Sequence, residues 1–134
     1  MPSKTGMNGT LFQPCPNNPN SVSSMASITD GTHYIEPLNY AGTMDQAQER
    51  LMALLKGMER VTLVKQTPHY WHFTFQTAVL KFTDDVEFYF PPKENLIHVR
   101  SASRIGYSDW GVNRKRIEMI RSAFEQTSPT LNAR

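Results

Sequence analysis

Between His98 and Arg116 the sequence reads HVRSASRIGYSDWGVNRKR, which gathers Arg100, Arg104, Arg114, Lys115 and Arg116 with Ser101, Ser103, Tyr107, Asp109 and Asn113. Side chains of these types suit two kinds of chemistry. The first is an anion site. Arg114, Lys115 and Arg116 follow Asn113 at the start of a helical pattern, where cations oppose the positive end of the helix dipole unless something negative is near. Free amides and the dipole together bind anions at such a place. Arg100 and Arg104 would converge there, and Ser101, Ser103 and Tyr107 would donate hydrogen bonds to a carboxylate, a phosphate or an acidic lipid headgroup. The candidate ligand residues are Arg100, Arg104, Tyr107, Asn113 and Arg114, with Asp85 and Glu87 as orienting counter-charges. The second is an internal salt-bridge network made from the same residues. Asp84, Asp85 and Glu87 lie on the strand expected to pair with 96–102, and Glu87 or Asp85 falls opposite Arg100 in either register. Opposite charges facing each other across strands contribute about 0.2–1 kcal/mol. Asp109 would likewise neutralise Arg114.

Catalysis has thinner support. Asp85 or Glu87 with His98 or His72 would make a hydrolase-like acid–base set, and Ser101, His98 and Asp85 can be written as a triad, but no G-x-S-x-G elbow accompanies them. Asp85, Glu87, His72 and His98 would share one face, yet no H-E-x-x-H, no Cys/His cluster and no calcium loop is present. No metal and no cofactor is expected. Cys15 is the single cysteine and has no intrachain disulfide partner. Asp84 falls on an apolar face, where a buried carboxylate needs donors. Arg104, a backbone amide, or a bulge at Asp84-Asp85 that turns both carboxylates outward would supply them. Trp110 either anchors its loop to the core or flanks a pocket, and core anchoring is the reading taken.

The elements that position these residues follow from hydrophobic spacing. In TMDQAQERLMALLKGM, Ala47, Leu51, Leu54, Leu55 and Met58 recur at helical intervals. Thr43 and Gln46 spell a capping box, Asp45 suits the first turn, and Gly57 marks the end. The period then changes to two. Strands are predicted over RVTLVKQ, YWHFTFQT, LKFTDDVEFYF and NLIHVRSAS. Trp71, Phe73 and Phe75 take one side, and Tyr70, His72 and Thr74 the other. Leu80, Phe82, Asp84, Val86, Phe88 and Phe90 share a face. Short links favour an antiparallel meander. GVNRKRIEMIRSAFEQ closes as a second helix, capped by Asn113 and buried along Ile117, Ile120 and Phe124.

The predicted fold is therefore α+β: a two-layer domain, a four-stranded antiparallel sheet with two helices packed on one face, and a long irregular N-terminal arm. The arm covers residues 1–42, the α-β-β-β-β-α core 43–126 and a C-terminal tail 127–134, all in one domain. The polar face of the sheet is left to solvent, to the arm or to a ligand.

The chain has 134 residues, room for one domain and not two. Its 39% hydrophobic content supports a core, and its mean hydropathy of −0.48 suits solubility. Fourteen Lys and Arg against twelve Asp and Glu leave a net charge of +2, too balanced for a dedicated nucleic-acid binder. The run Leu51–Leu55 is far short of the roughly 20 apolar residues of a spanning helix, and the polar N-terminal stretch holds no signal-peptide hydrophobic segment. This fits a cytosolic protein, or an exported one written without its leader.

CPNNPNSVSS (15–24), HYIEPLNY (33–40), FTDDVEFYF (82–90) and IHVRSASRIGYSDWGVNRKRIEMIR (97–121) resemble the DUF1499 family of unknown function, in the right order and over residues 10 to 125. The resemblance implies a small domain of the bacterial cell envelope or periplasm, often behind a lipoprotein or export signal, so membrane proximity would come through a leader absent from this chain. It implies no activity and no catalytic residues. The family pattern carries a second cysteine where this chain has Ser21. The expected function is noncatalytic binding of an anionic small molecule, a lipid headgroup or a partner protein. The alternatives are the hydrolase-like enzyme and a purely structural accessory protein, the last of which would show a contiguous exposed apolar patch.

Overall fold

The computed structural model describes residues 4–127. In chain order these form β1 (Met7–Asn8), β2 (Leu11–Phe12), β3 (Ser21–Ser23), β4 (Leu38–Asn39), α1 (Met44–Lys56), β5 (Val61–Gln66), β6 (Tyr70–Gln76), β7 (Thr83–Tyr89), β8 (Leu96–Ser103) and α2 (Val112–Glu125). The α+β class, both helices and the four-strand meander β5 to β8 are as read from the sequence. The size of the sheet is not. It has six strands, in the order β3-β8-β7-β6-β5 with β4 also on β8, and a separate two-stranded hairpin joins β1 to β2. The two extra strands come from the arm: β3 pairs with Arg100–Ala102 and β4 with Leu96 and Ile97, both antiparallel. Without them β8 would present an unpaired row of backbone donors and acceptors. Strands of two and three residues rich in Ser and Asn carry no alternation, so pattern alone does not reveal them.

Parity within the meander is as the sequence spacing requires. Trp71, Phe73 and Phe75 pair with Phe88, Val86 and Asp84, which in turn pair with Val99, Ser101 and Ser103. This is the helix-covered face. Ala47, Leu51 and Leu55 of α1 and Ile117, Ile120 and Phe124 of α2 close over it, all essentially inaccessible. Trp71 tilts against Phe90 at 4.7 Å, and Phe73 meets Phe88 edge-on at 6.0 Å. Leu80 and Phe82 do not belong to this core. The chain leaves the sheet at Thr77 and turns through Lys81 at φ 58°. The Phe82 amide donates to the Thr77 hydroxyl and the Thr77 amide to the Phe82 carbonyl, which closes the connection, so β7 starts only at Thr83.

The helix starts differ. Thr43 caps α1 with both bonds of the capping box in place. Asn113 does not cap α2: the N-cap is Gly111, at a left-handed φ of 79°, and Asn113 lies inside the first turn. The carboxylate of Asp109 does the capping, accepting the Gly111 amide at 2.8 Å and the Asn113 amide at 3.0 Å. It thereby brings negative charge to the positive end of the helix.

The opposite face of the sheet is roofed by the arm. Cys15, half-buried there, has its thiol beside the Ser21 hydroxyl and the Arg100 guanidinium, and burial pushes the thiol up. A cysteine at position 21 would therefore meet it. Ser21→Cys, oxidised, is expected to form the 15–21 disulfide, raise Tm and stabilise the fold by roughly 2–3 kcal/mol through the short loop it closes. Two titratable thiols persisting after oxidation, with Tm unmoved, would refute this.

Candidate functional site

The arm-covered face holds the buried charges. Glu87 and Arg100 lie opposite one another in β7 and β8, both fully buried, with Nη1 3.2 Å from Oε1. Arg100 Nη2 donates to the Pro14 carbonyl at 3.2 Å. The other oxygen of Glu87 accepts the Gly6 amide and the Tyr70 hydroxyl, and burial, then the Glu87 carboxylate, pushes the Tyr70 phenol well above its usual range. Asp85, two residues back, accepts from Arg104 twice at 3.0 Å and pairs with His72 at 2.8 Å. Burial works to raise its pKa, but the bonds from His72 and Arg104 outweigh it and hold the carboxyl below the usual range.

Asp84 points to the helix face. No bulge turns it outward, since the β7–β8 register runs unbroken through Asp84 and Asp85. Its partner is Arg116, at 2.8 Å, and not Arg104. Here burial outweighs Arg116 and Ser103, so the carboxyl sits above the usual range. Arg116 also donates to Asn113 and lies over the Phe75 ring. Asn113 is the centre of this buried set. Its amide group donates toward the Asn20 carbonyl, Ser103 and Asp109, and its oxygen accepts from Ser101 and Arg116.

The candidate residues thus fall into separate places. Arg100 and Arg104, with Glu87 and Asp85, lie on the arm face. Asn113 is buried on the helix face. Arg114, at the surface, donates to the Thr32 carbonyl at 3.2 Å. Tyr107 is 71% exposed on the loop before α2. The convergence of Arg100 and Arg104 on the start of α2 does not occur, because neighbouring residues on a strand project to opposite faces: Ser101 reaches Asn113, and Arg100 cannot. His98 shares the arm face but bonds neither Asp85 nor Glu87. Its Nδ1 lies 2.9 Å from Ser24 Oγ, and burial lowers its pKa. Among the described residues no three His, Cys, Asp or Glu side chains gather as a metal ligand set would.

A feature the spacing did not expose lies at the end of the sheet. The connection 77–82 and the loop 104–111 face each other across a cleft of about 510 Å³. Val79, Leu80 and Phe82 line one wall, Ile105, Trp110 and Val112 the other, with Asp84 and Ser103 at the floor. Trp110 is not a core anchor; it is 88% exposed. The sequence signal was present but misplaced: Leu80 and Phe82 continue the strand alternation in phase, although the chain has already turned.

Fold and site together define a two-layer α+β domain whose polar sheet face is covered over Glu87 and Arg100 by its own N-terminal arm and whose apolar cleft opens between two loops. The model of the family described as a protein of unknown function, DUF1499, matches residues 12–124, and the chain belongs to that family. No curated protein and no solved structure matches it.

Proposed function

We propose that this protein is a noncatalytic binding domain for a lipid, whose apolar part lodges in the cleft between 77–82 and 104–111. The observation that carries this reading is the cleft itself: about 510 Å³, within the usual range for ligand sites, mostly apolar with few polar groups. Its polar groups are already satisfied. Asp84 is held by Arg116, and Asp109 by the start of α2. Recognition therefore rests on shape and apolar surface. Of the occupants expected from the sequence, a lipid fits better than a small anion. Every arginine among the described residues has an acceptor within the chain, whether carboxylate, side-chain oxygen or backbone carbonyl. At the buried Arg100 and Arg116 an anion would have to displace those acceptors.

Dodecylphosphocholine below its micelle concentration tests the reading. Trp71 is 2% exposed and Trp110 88%, so a change in tryptophan emission reports on Trp110. Binding is expected to shift the emission to the blue, and Phe82→Asp to weaken it at least tenfold, since losing one buried apolar side chain costs about 1.5–3 kcal/mol. The same exposed rim favours a second reading, a structural accessory protein whose partner chain covers these loops. That reading predicts no shift with the monomeric detergent, and such a result would overturn the lipid assignment.

A further inference from the structure

We infer that the cleft end of the molecule is also a docking face for an anionic bilayer; this deepens the lipid reading and rests on it. Two loops reach out side by side there, and their rim residues are among the most exposed hydrophobic side chains of the described residues: Val79 86%, Leu80 68%, Ile105 60%, Tyr107 71% and Trp110 88%. A patch of this kind on a soluble domain marks an interaction surface. Its composition favours a membrane. Trp and Tyr beside aliphatic side chains suit the boundary where one end of a ring is apolar and the other wet. Lys81 and Trp110, each in one of the two loops, hold left-handed backbone at φ 58° and 56°, a conformation that costs energy in residues other than glycine and clusters in loops that serve a ligand.

Charge selects the kind of membrane. The two loops and the first turn of α2 carry Lys81, Arg104, Arg114 and Lys115 against Asp109. Asp109 is turned inward onto the amides of Gly111 and Asn113, and Arg104 is neutralised by Asp85. Lys81 and Lys115, with no carboxylate partner among the described residues, remain as positive charge beside an apolar tip, while Arg114 is turned to the Thr32 carbonyl. Basic residues flanking an apolar surface are attracted to anionic headgroups. The bilayer would take the rim, and a single lipid chain would enter the cleft from it.

Vesicles of phosphatidylglycerol and of phosphatidylcholine, with the whole protein, test this by flotation and by quenching of tryptophan with brominated acyl chains. Binding to phosphatidylglycerol, weakened by salt, with quenched emission, is the expected result. Phosphatidylcholine should bind much less. K81E combined with K115E alters neither cleft wall, so it should lower affinity for phosphatidylglycerol roughly tenfold or more and leave the dodecylphosphocholine titration unchanged. Wild-type protein that binds the detergent monomer but neither kind of vesicle overturns docking and spares the cleft reading. Vesicle binding without detergent binding does the reverse. Equal binding to both vesicles, unmoved by K81E/K115E, overturns the anionic membrane as the partner. Self-association with Trp110 shielded and no vesicle binding overturns docking and assigns the rim to a second copy of the chain.

Discussion

Arg100→Met is expected to lower the unfolding free energy by about 3–5 kcal/mol, because it strands a buried carboxylate. Glu87 has no solvent contact. With Arg100 gone, the Gly6 amide and the Tyr70 hydroxyl remain as donors, and neither brings positive charge. The Pro14 carbonyl loses its donor as well, so the arm loosens where it crosses the sheet. The companion variant Arg100→Met with Glu87→Met removes both charges and keeps the volume apolar. It is expected to recover most of the loss, since a buried ion pair is often no more stabilising than the hydrophobic pair that replaces it. Urea unfolding of the two variants and the wild type at neutral pH reads both effects. A single variant that costs less than about 1 kcal/mol, in the range of an exposed pair, would mean that water reaches Glu87 and that the arm is no roof.

The Glu87–Arg100 pairing was legible in the sequence because an antiparallel meander leaves few registers, and either one sets an acidic residue of β7 opposite Arg100. The capping box of α1 was legible because its chemistry is contained in four consecutive residues. Where a residue's partner is set by the rotation of a helix or the route of a loop, the sequence was silent. Asp84 binds Arg116 because α2 turns that side chain toward the sheet, and nothing local distinguishes Arg116 from Arg104 as the donor. Asn113 has the composition of a cap, yet the closure of the 104–111 loop lets Asp109 take that place first. The cleft was hidden for a related reason. Alternation reports a side chain's face only while the strand lasts, and Leu80 and Phe82 keep the phase of β7 although they precede its first residue.

Asn113→Ala separates a cap from a central anchor. A cap residue replaced by alanine costs typically about 1 kcal/mol, and that is the loss expected for Asp109→Ala, whose carboxylate serves the start of α2. Asn113 does more than a cap. It is fully buried, and its removal takes a hydrogen bond from the Asn20 carbonyl, Ser101, Ser103 and Arg116 at once. The Asn20 carbonyl keeps the Ser103 amide and Arg116 keeps Ser101, but the buried Ser101 hydroxyl loses its acceptor. Buried polar groups left unpaired cost about 1–3 kcal/mol each, and relaxation recovers part of that, so the expected loss is about 2–4 kcal/mol. The effect should reach the cleft, because Ser103 lies at its floor and Asp109 on the loop that forms one wall. Asn113→Ala should therefore also speed amide exchange across 104–111, which Asp109→Ala alters less. Equal losses in the two variants, with equal exchange, would reduce Asn113 to an ordinary first-turn residue. They would also remove the physical link between the core and the loop that carries Trp110.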